Sequence, residues 1–596
     1  MIGTSRASVR SLQRLQTWLL VALGGITLAV FAGVCGHEFV HYDDAANIYA
    51  NPHLKGLGWD ALQWMFTDVS YARRYMPLGW LSYAVDYQLF GLNPKAYHVG
   101  NLLLHSGNVL LLFFLLKRLL IRARPSQNPD EADPAPIWCA AIGALFWAVN
   151  PLRVESVAWA SSRIYGVVCL STLLWLLSWL RAQDPATPKS RRRVFYWCSV
   201  AAYGASLLTY PLAVFAPVAL VVLDVVLLRR MSPRPAHWWR PEARAVWRSI
   251  LPFLVLAGGV LVLTFAARML TDSSHQPLTL GEFGLLSRVM QAFYIWTYYA
   301  WKPWFPYDLA ASYTTLHSFN PLAVKFLLSA CFVCLVTLVL FWRRRQWPAA
   351  LGLWICHLVL LVPVLGLTEY PHSAYDRYSY VQGILWSVAL ALVLLALWDR
   401  GSRGYLASVT VAVTSLMFGL LAWQQVPIWR DTITLYRHLV TSIGQHPNRS
   451  RFDEVLGVHY LLAGLTNEAV ASLQSASDYE QRRTDRHLYD EGVLRRANLR
   501  LGDVFVDQGR LEAALTCYQA ALSADQASVI AVVKMGSTLA KLNRDGEAVT
   551  CLREAVRMKP DSASAHHALA TVLAKLGRAE EAQLHWQEER RLLAGK

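Results

Sequence analysis

The nineteen residues Thr17-Trp-Leu-Leu-Val-Ala-Leu-Gly-Gly-Ile-Thr-Leu-Ala-Val-Phe-Ala-Gly-Val-Cys35 contain no Lys, Arg, Asp or Glu, and Arg6, Arg10 and Arg14 precede them. A helix of ~20 mostly apolar residues crosses a bilayer core. Runs of this kind recur at 97–116, 136–158, 164–181, 194–208, 211–228, 249–268, 322–342, 348–367, 378–398 and 404–423. The expected fold is therefore an all-α polytopic membrane bundle of about 11 spans. Further spans follow the first and no small-residue cleavage site closes it, so it is expected to remain as an anchor. Composition agrees: the 596 residues are 55% hydrophobic and 16% charged, against ~45–50% and ~25% in soluble domains. A single soluble domain, a disordered chain and a disulfide-stapled module are excluded.

The net charge of +16 is not spread evenly. Residues 427–596 hold 22 Lys+Arg against 21 Asp+Glu, so +15 of it lies in residues 1–426. There the cations sit at span ends: Lys117, Arg118, Arg122 and Arg124; Arg191, Arg192 and Arg193; Arg229 and Arg230; Arg343, Arg344 and Arg345. Cytoplasmic loops collect Lys and Arg, so the excess is a topology signal and no nucleic-acid partner is expected. The Trp- and Tyr-rich segment 286–304 reads as interfacial or re-entrant. Leaving it out puts the basic flanks at 229–230 and 343–345 on one side. With the N-terminus inside and eleven spans, residues 427–596 would lie outside.

Those residues carry a period. Gly502 and Gly536 are 34 apart, as are Ala514, Ala548 and Ala582, and Tyr518, Leu552 and Trp586. Cys517 and Cys551 keep the same step, which makes them packing residues and not a disulfide. A 34-residue helix–turn–helix period is the tetratricopeptide pattern. Leu456-Gly457, with Ala469 twelve residues past the glycine, reads as an earlier degenerate repeat. The 45-residue step to Gly502 puts an 11-residue excess around 475–490. Such arrays bind partners in a concave groove; a plain spacer is the blander reading. The expected domains are thus a membrane part, 1–426, with a long first external loop at 36–96, and a repeat part, 427–596.

The external side collects the polar chemistry. Loop 36–96 holds His37, Glu38, His41, Asp43 and Asp44. The turn at Asn150-Pro151 brings Arg153, Glu155 and Arg163 to the same face, and a short turn carries Thr209, Tyr210 and Pro211. A later loop carries Glu369, His372, Asp376, Arg377, Tyr378 and Tyr380. Ionisable groups at membrane depth mark functional sites. A carboxylate here could take a proton from an attacking hydroxyl while an arginine holds a phosphate. Structural readings compete: Asp43-Asp44 as solvated loop charges, Arg153 with Glu155 as a helix-end ion pair, and Arg377 as an interfacial anchor. His105 and His357 read as hydrogen-bonded packing groups, and Cys331-x-x-Cys334 as mid-span filler. No P-loop, dinucleotide fingerprint or zinc spacing occurs.

Several stretches together carry a resemblance. They are Phe39-Val-His-Tyr-Asp-Asp44 with Asn51-Pro52-His53, Pro77-Leu-Gly-Trp-Leu-Ser82, Leu89-Phe-Gly-Leu-Asn-Pro94, and His98 with Asn101-Leu-Leu-Leu-His105. Asn150-Pro-Leu-Arg-Val-Glu-Ser-Val-Ala-Trp159, Pro306-Tyr-Asp-Leu-Ala310, Asp376-Arg-Tyr-Ser-Tyr380 and Trp429-Arg-Asp431 extend it. In this order, with the trailing repeats, the chain resembles the membrane-embedded, tetratricopeptide-containing O-mannosyltransferase-like proteins of the GT-C glycosyltransferase group, in its bacterial form. The resemblance implies transfer of a mannose-like sugar from a polyprenyl-phosphate donor to a hydroxyl, usually protein Ser/Thr, on the non-cytoplasmic face. It implies a general base at Asp43 or Asp44, and donor-phosphate or site-shaping roles for Arg153, Glu155, Arg163, Asp376, Arg377 and Tyr378. No cofactor is expected, and a divalent cation is not favoured.

The chain also departs from the pattern. Relatives read His-Pro-Leu at Asn150-Pro-Leu, Glu-Arg-Lys-Asp at Ser162-Arg-Ile-Tyr165, Ala-Lys-Pro-Met at Thr209-Tyr-Pro-Leu212 and Trp-His-Pro at Tyr75-Met-Pro77. Each change removes a titratable group. The alternative is thus a catalytically silent membrane scaffold holding partners through its repeats. The expected setting is a bacterial inner membrane, N-terminus cytoplasmic and repeats periplasmic, with an acceptor protein as the repeats' partner.

Overall fold

The computed structural model describes residues 2–71, 74–124, 133–269, 279–281, 283–313, 320–367, 374–444, 446, 448–482 and 492–594. Glu369 and His372 lie outside them. The described residues form helices and turns and no strand, and divide into two compact units, Met1–Asp431 and Thr432–Lys596.

The first unit runs α1 (Ile2–Phe31), α2 (Trp59–Thr67), α3 (Pro77–Phe90), α4 (Pro94–Ala123), α5 (Ala135–Ala148), α6 (Val154–Ala158), α7 (Arg163–Ala182) and α8 (Lys189–Thr209). It continues through α9 (Val218–Val226), α10 (Pro241–Met269), α11 (Leu285–Trp301), α12 (Val324–Trp342), α13 (Pro348–Leu360), α14 (Ser379–Gln382), α15 (Ile384–Trp398) and α16 (Ser402–Gln425). Among the described residues, six helical stretches are long and apolar enough to cross a membrane: Arg10–Gly36, Pro94–Ala123, Ala160–Ala182, Pro241–Ala267, Val324–Trp342 and Ser402–Trp429. Two bent pairs raise this to eight: Ala135–Ala148 with Pro151–Ala158, bent by 59°, and Asp376–Gln382 with Ile384–Trp398, bent by 51°.

Eleven spans were expected; the other three fall on α8, α9 and α13. At 1.5 Å per residue, the nine residues of α9 reach only ~14 Å and the thirteen of α13 ~20 Å, against a core of ~30 Å. α8 is 21 residues long but begins with Lys189, Arg191, Arg192 and Arg193. The Trp- and Tyr-rich segment forms α11, 17 residues long, which is not among the six.

The two breaks shape the site. A bent helix frees carbonyls, and unpaired backbone is costly where water is scarce. One stripe of α4 meets that need. His105 Nε2 lies 3.0 Å from the Ala148 carbonyl at the first break, and Asn101 donates to the Trp159 carbonyl at 3.0 Å. Asn108 donates to Gly166 O at 2.9 Å, and His98 Nε2 lies 3.2 Å from Glu38 O. His105 and His357 are packing groups, as expected. The second bonds the Trp296 carbonyl (3.0 Å) and Gln382 (2.7 Å) and stacks on Trp354.

The second unit holds α17 (Thr432–Ile443) and four helix pairs: α18–α19 (Arg449–Leu462, Thr466–Arg482), α20–α21 (Gly492–Asp507, Leu511–Ala524), α22–α23 (Val529–Lys541, Asp545–Met558) and α24–α25 (Ala563–Lys575, Ala579–Ala594). The glycines are small because the second helix of each pair presses on them. A Cβ on Gly457 would lie 2.7 Å from Leu473, on Gly502 2.3 Å from Tyr518, and on Gly536 2.6 Å from Leu552. Gly457 thus belongs to the same phase as the later repeats. Each turn within a pair has a left-handed residue: Gly464, Gly509 and Gly577 at φ +74°, and Asn543 at φ 60°. The excess between the first two repeats lengthens α19 to 17 residues; residues 483–491 lie outside the described ones.

Candidate active site

The two adjacent acids have opposite environments. Asp44 is fully buried. Its Oδ2 accepts from Val40 N at 2.9 Å, and its Oδ1 accepts from Ser161 N at 2.9 Å and from the Ser161 hydroxyl. Burial raises its carboxyl to about 6, less than it would without those three donors, which favour the charged form. Asp44 therefore pins the first loop to the turn before α7. Asp43 is half-exposed, and its Oδ2 lies 3.6 Å from an Arg74 guanidinium nitrogen. Of the two acids, Asp43 is the one whose carboxylate is open to a substrate.

Arg153 is fully buried, donates to the Ser379 carbonyl (2.8 Å) and hydroxyl (3.1 Å), and lies over the Trp147 and Tyr380 rings. It joins the first break in the chain to the second. Arg163 pairs with Asp86 and donates to Asn101 Oδ1 (2.8 Å), Tyr97 O (2.6 Å) and Ser82 O (3.2 Å). It ties α3, α4 and α7 together. Both arginines are clamps whose donors face protein.

Arg377 differs. Glu155, itself buried, accepts from the Arg377 backbone N at 2.8 Å and from its Nη1. The guanidinium lies 3.8 Å from the Tyr375 ring centre, 5.1 Å from Tyr378 and 5.4 Å from Trp159. Nothing else among the described residues bonds its Nε or Nη2. Tyr42, next to Asp43, packs against Trp159 at 5.4 Å. Asp376 points away: its Oδ1 accepts from Tyr313 (2.8 Å) and Tyr298 (3.3 Å), near Lys302 in a cage of aromatic rings. Tyr378 joins a row of rings, Tyr210–Tyr165 at 5.7 Å and Tyr165–Tyr378 at 6.1 Å.

The structure thus gathers Asp43, Asp44, Glu155, Arg377 and Tyr378, and assigns Arg153, Arg163 and Asp376 to the supporting frame. Sequence reasoning missed Arg74, the serine that holds Asp44, and the alignment of Tyr210 and Tyr165 in one row with Tyr378. Arg74 carried one signal: Arg73 and Arg74 are cations in the loop assigned to the side that should lack them.

Known proteins resemble this chain in parts. The TPR repeat family model matches residues 502–543 and 536–577. The C-terminal array is made of TPR repeats. Protein O-mannosyl-transferase TMTC4 of Homo sapiens is 27% identical over 189 residues, 30% of this chain and 25% of that protein. TMTC1 of Mus musculus is 29% identical over 170 residues, 27% and 17%. Tmtc3 of Drosophila melanogaster is 34% identical over 117 residues, 18% and 12%. The chain therefore matches a quarter or less of the length of these relatives. A crystal structure of MamA is similar at 19% identity and a TM-score of 0.23, over 27% of this chain and 87% of that one.

Proposed function

We propose that the chain transfers a mannose-like sugar from a polyprenyl-phosphate donor to a protein Ser/Thr hydroxyl at the membrane surface. The observation that carries this reading is the division of labour between the paired acids: one locked, one open and facing the Arg74 guanidinium. The relatives' names, protein O-mannosyl-transferases, support the reaction class.

In this reading Asp43 takes the acceptor proton as the acceptor oxygen bonds to the anomeric carbon. The bond from that carbon to the donor phosphate oxygen breaks, and the charge grows on the leaving phosphate, where Arg377 stands. Glu155 orients Arg377 and Asp44 orients the loop bearing Asp43. Arginine meets the phosphate charge, so the reading requires no metal. An inverting displacement would set the base and the phosphate-binding cation on opposite sides of the reacting carbon. The TPR repeats hold the acceptor, on the non-cytoplasmic face of a bacterial-type inner membrane, if α8, α9 and α13 complete eleven crossings.

The test is turnover by purified protein with polyprenyl-phosphate mannose and Ser/Thr peptides. Asp43→Asn is expected to lower it ~10²–10⁴-fold, the usual worth of a general base, with unchanged thermal unfolding. Turnover unaffected by Asp43→Asn removes the base. No turnover, with peptide binding by the full-length protein, favours the scaffold.

A further inference from the structure

We propose that Arg74 is a donor-displaced restraint on Asp43: it pairs with the base before substrate arrives and leaves it for the phosphate of the incoming lipid-linked sugar. This rests on the transferase reading above and assigns that site an order of binding, donor before acceptor.

The observations are geometric. The backbone around Arg74 is braced. Asp68 accepts from Ser70 N (2.9 Å) and Tyr71 N (2.7 Å), the Tyr71 hydroxyl donates to the Ala46 carbonyl (2.9 Å), and Arg74 N donates to Tyr71 O (3.2 Å). The Tyr75 hydroxyl donates to Phe66 O at 3.2 Å. The Arg74 side chain, by contrast, is half-exposed, and among the described residues its one ion pair, at 3.6 Å, has no hydrogen bond within it. A loose, partly solvated pair is a weak one, so an anion can win the guanidinium. Arg153 and Arg163 cannot respond in this way, and Arg377 is fixed by Glu155.

A seat for that anion adjoins Arg74. Its electrostatic neighbours are Tyr210, Asp43, Tyr165 and Tyr378. The Tyr165 and Tyr210 hydroxyls have no hydrogen-bond partner among the described residues. The ring row then leads from Tyr210 through Tyr165 and Tyr378 to Arg377. Two cations and two open hydroxyl donors along one row suit a phosphodiester, whose oxygens accept only. While Arg74 stands beside Asp43, its positive charge makes the carboxylate a weaker proton acceptor for an incoming hydroxyl. Once the phosphate draws the guanidinium along the row, Asp43 is uncovered beside the sugar.

Asp43 and the phosphate would then compete for one cation, and this sets the signs of the test. Binding of radiolabelled polyprenyl-phosphate mannose to the full-length protein in nanodiscs is measured alongside donor KM and kcat. Arg74→Gln is expected to weaken donor binding about tenfold and raise donor KM, with Arg74→Lys intermediate. Asp43→Asn is expected to tighten donor binding severalfold while lowering turnover ~10²–10⁴-fold, and to lose that tightening in the Arg74→Gln background. Unchanged donor affinity in Arg74→Gln, with active wild type, overturns the inference and leaves the transferase reading standing. Tightening by Asp43→Asn that persists without Arg74 also overturns it, since simple repulsion then suffices. If the wild type neither binds nor turns over the donor, both readings fall together. A misfolded Arg74→Gln leaves Arg74→Lys and Asp43→Asn to decide.

Discussion

Oppositely charged pairs occur in both compact units, but they differ in what surrounds them. In Met1–Asp431, Arg163 meets Asp86 at 6% and 14% side-chain exposure, and Arg377 meets Glu155 at 10% and 4%. In Thr432–Lys596 the pairs Arg544–Glu547, Arg557–Glu554, Arg578–Glu581 and Arg591–Glu588 lie one turn apart on helix surfaces, Arg557 and Glu554 at 75% and 46%. The pairing chemistry is the same. In those two pairs of the first unit each charge has lost most of its water, so its partner is what makes the burial tolerable. On the repeats, water does most of that work. The first unit therefore depends on these buried pairs at its candidate site, whereas the surface pairs add little to the repeats, whose helix pairs close by apolar fit between small and large residues.

The strongest test of this contrast is Glu155→Ala. It strands Arg377 in a buried site and is expected to cost ~3–5 kcal/mol, read as a large fall in unfolding temperature in detergent. A loss no larger than that of a surface pair would break the contrast.

Asp44 gives the next effect, through pH. Its carboxyl is raised from the ordinary 3.8 to about 6, so between those values the folded state binds more protons than the unfolded one. Stability is then expected to fall as pH rises from about 4 to about 6 by up to ~3 kcal/mol, at ~1.4 kcal/mol per pH unit. Asp44→Asn should flatten that slope in thermal unfolding followed against pH; an equal slope in both proteins would refute it.

In the repeats, Gly536→Ala puts a methyl 2.6 Å from Leu552 and is expected to cost ~1–3 kcal/mol by overpacking, measured by chemical unfolding. Glu554→Gln marks the lower end: no measurable change in unfolding temperature. Should it match Gly536→Ala, surface pairing would matter as much to the array as apolar fit.

Legibility followed the same divide. The repeats could be read because their packing is local and periodic: Gly502 and Tyr518 lie sixteen residues apart, and so do Gly536 and Leu552. Even the degenerate repeat at Gly457 declared itself, by the twelve-residue step to Ala469 that Gly502 and Ala514 also keep. The site was readable in part. Glu155 and Arg377 stood out as charges among apolar residues, but their union spans 222 residues and has no spacing signature. Crossing number was less legible: average hydropathy counts α9 as a span, whereas its helix is nine residues long and the described residues give six to eight spans by length and composition.

The amino-acid sequence by itself determined the all-helical class, the repeat phase and the few ionisable residues worth watching, since apolar runs and periods are properties of neighbours along the chain. Tertiary structure alone decided which acid is open. Asp43 and Asp44 are adjacent and chemically identical, and what separates them is Ser161, 117 residues beyond Asp44. Its backbone N–H and hydroxyl claim one carboxylate and leave the other to face Arg74.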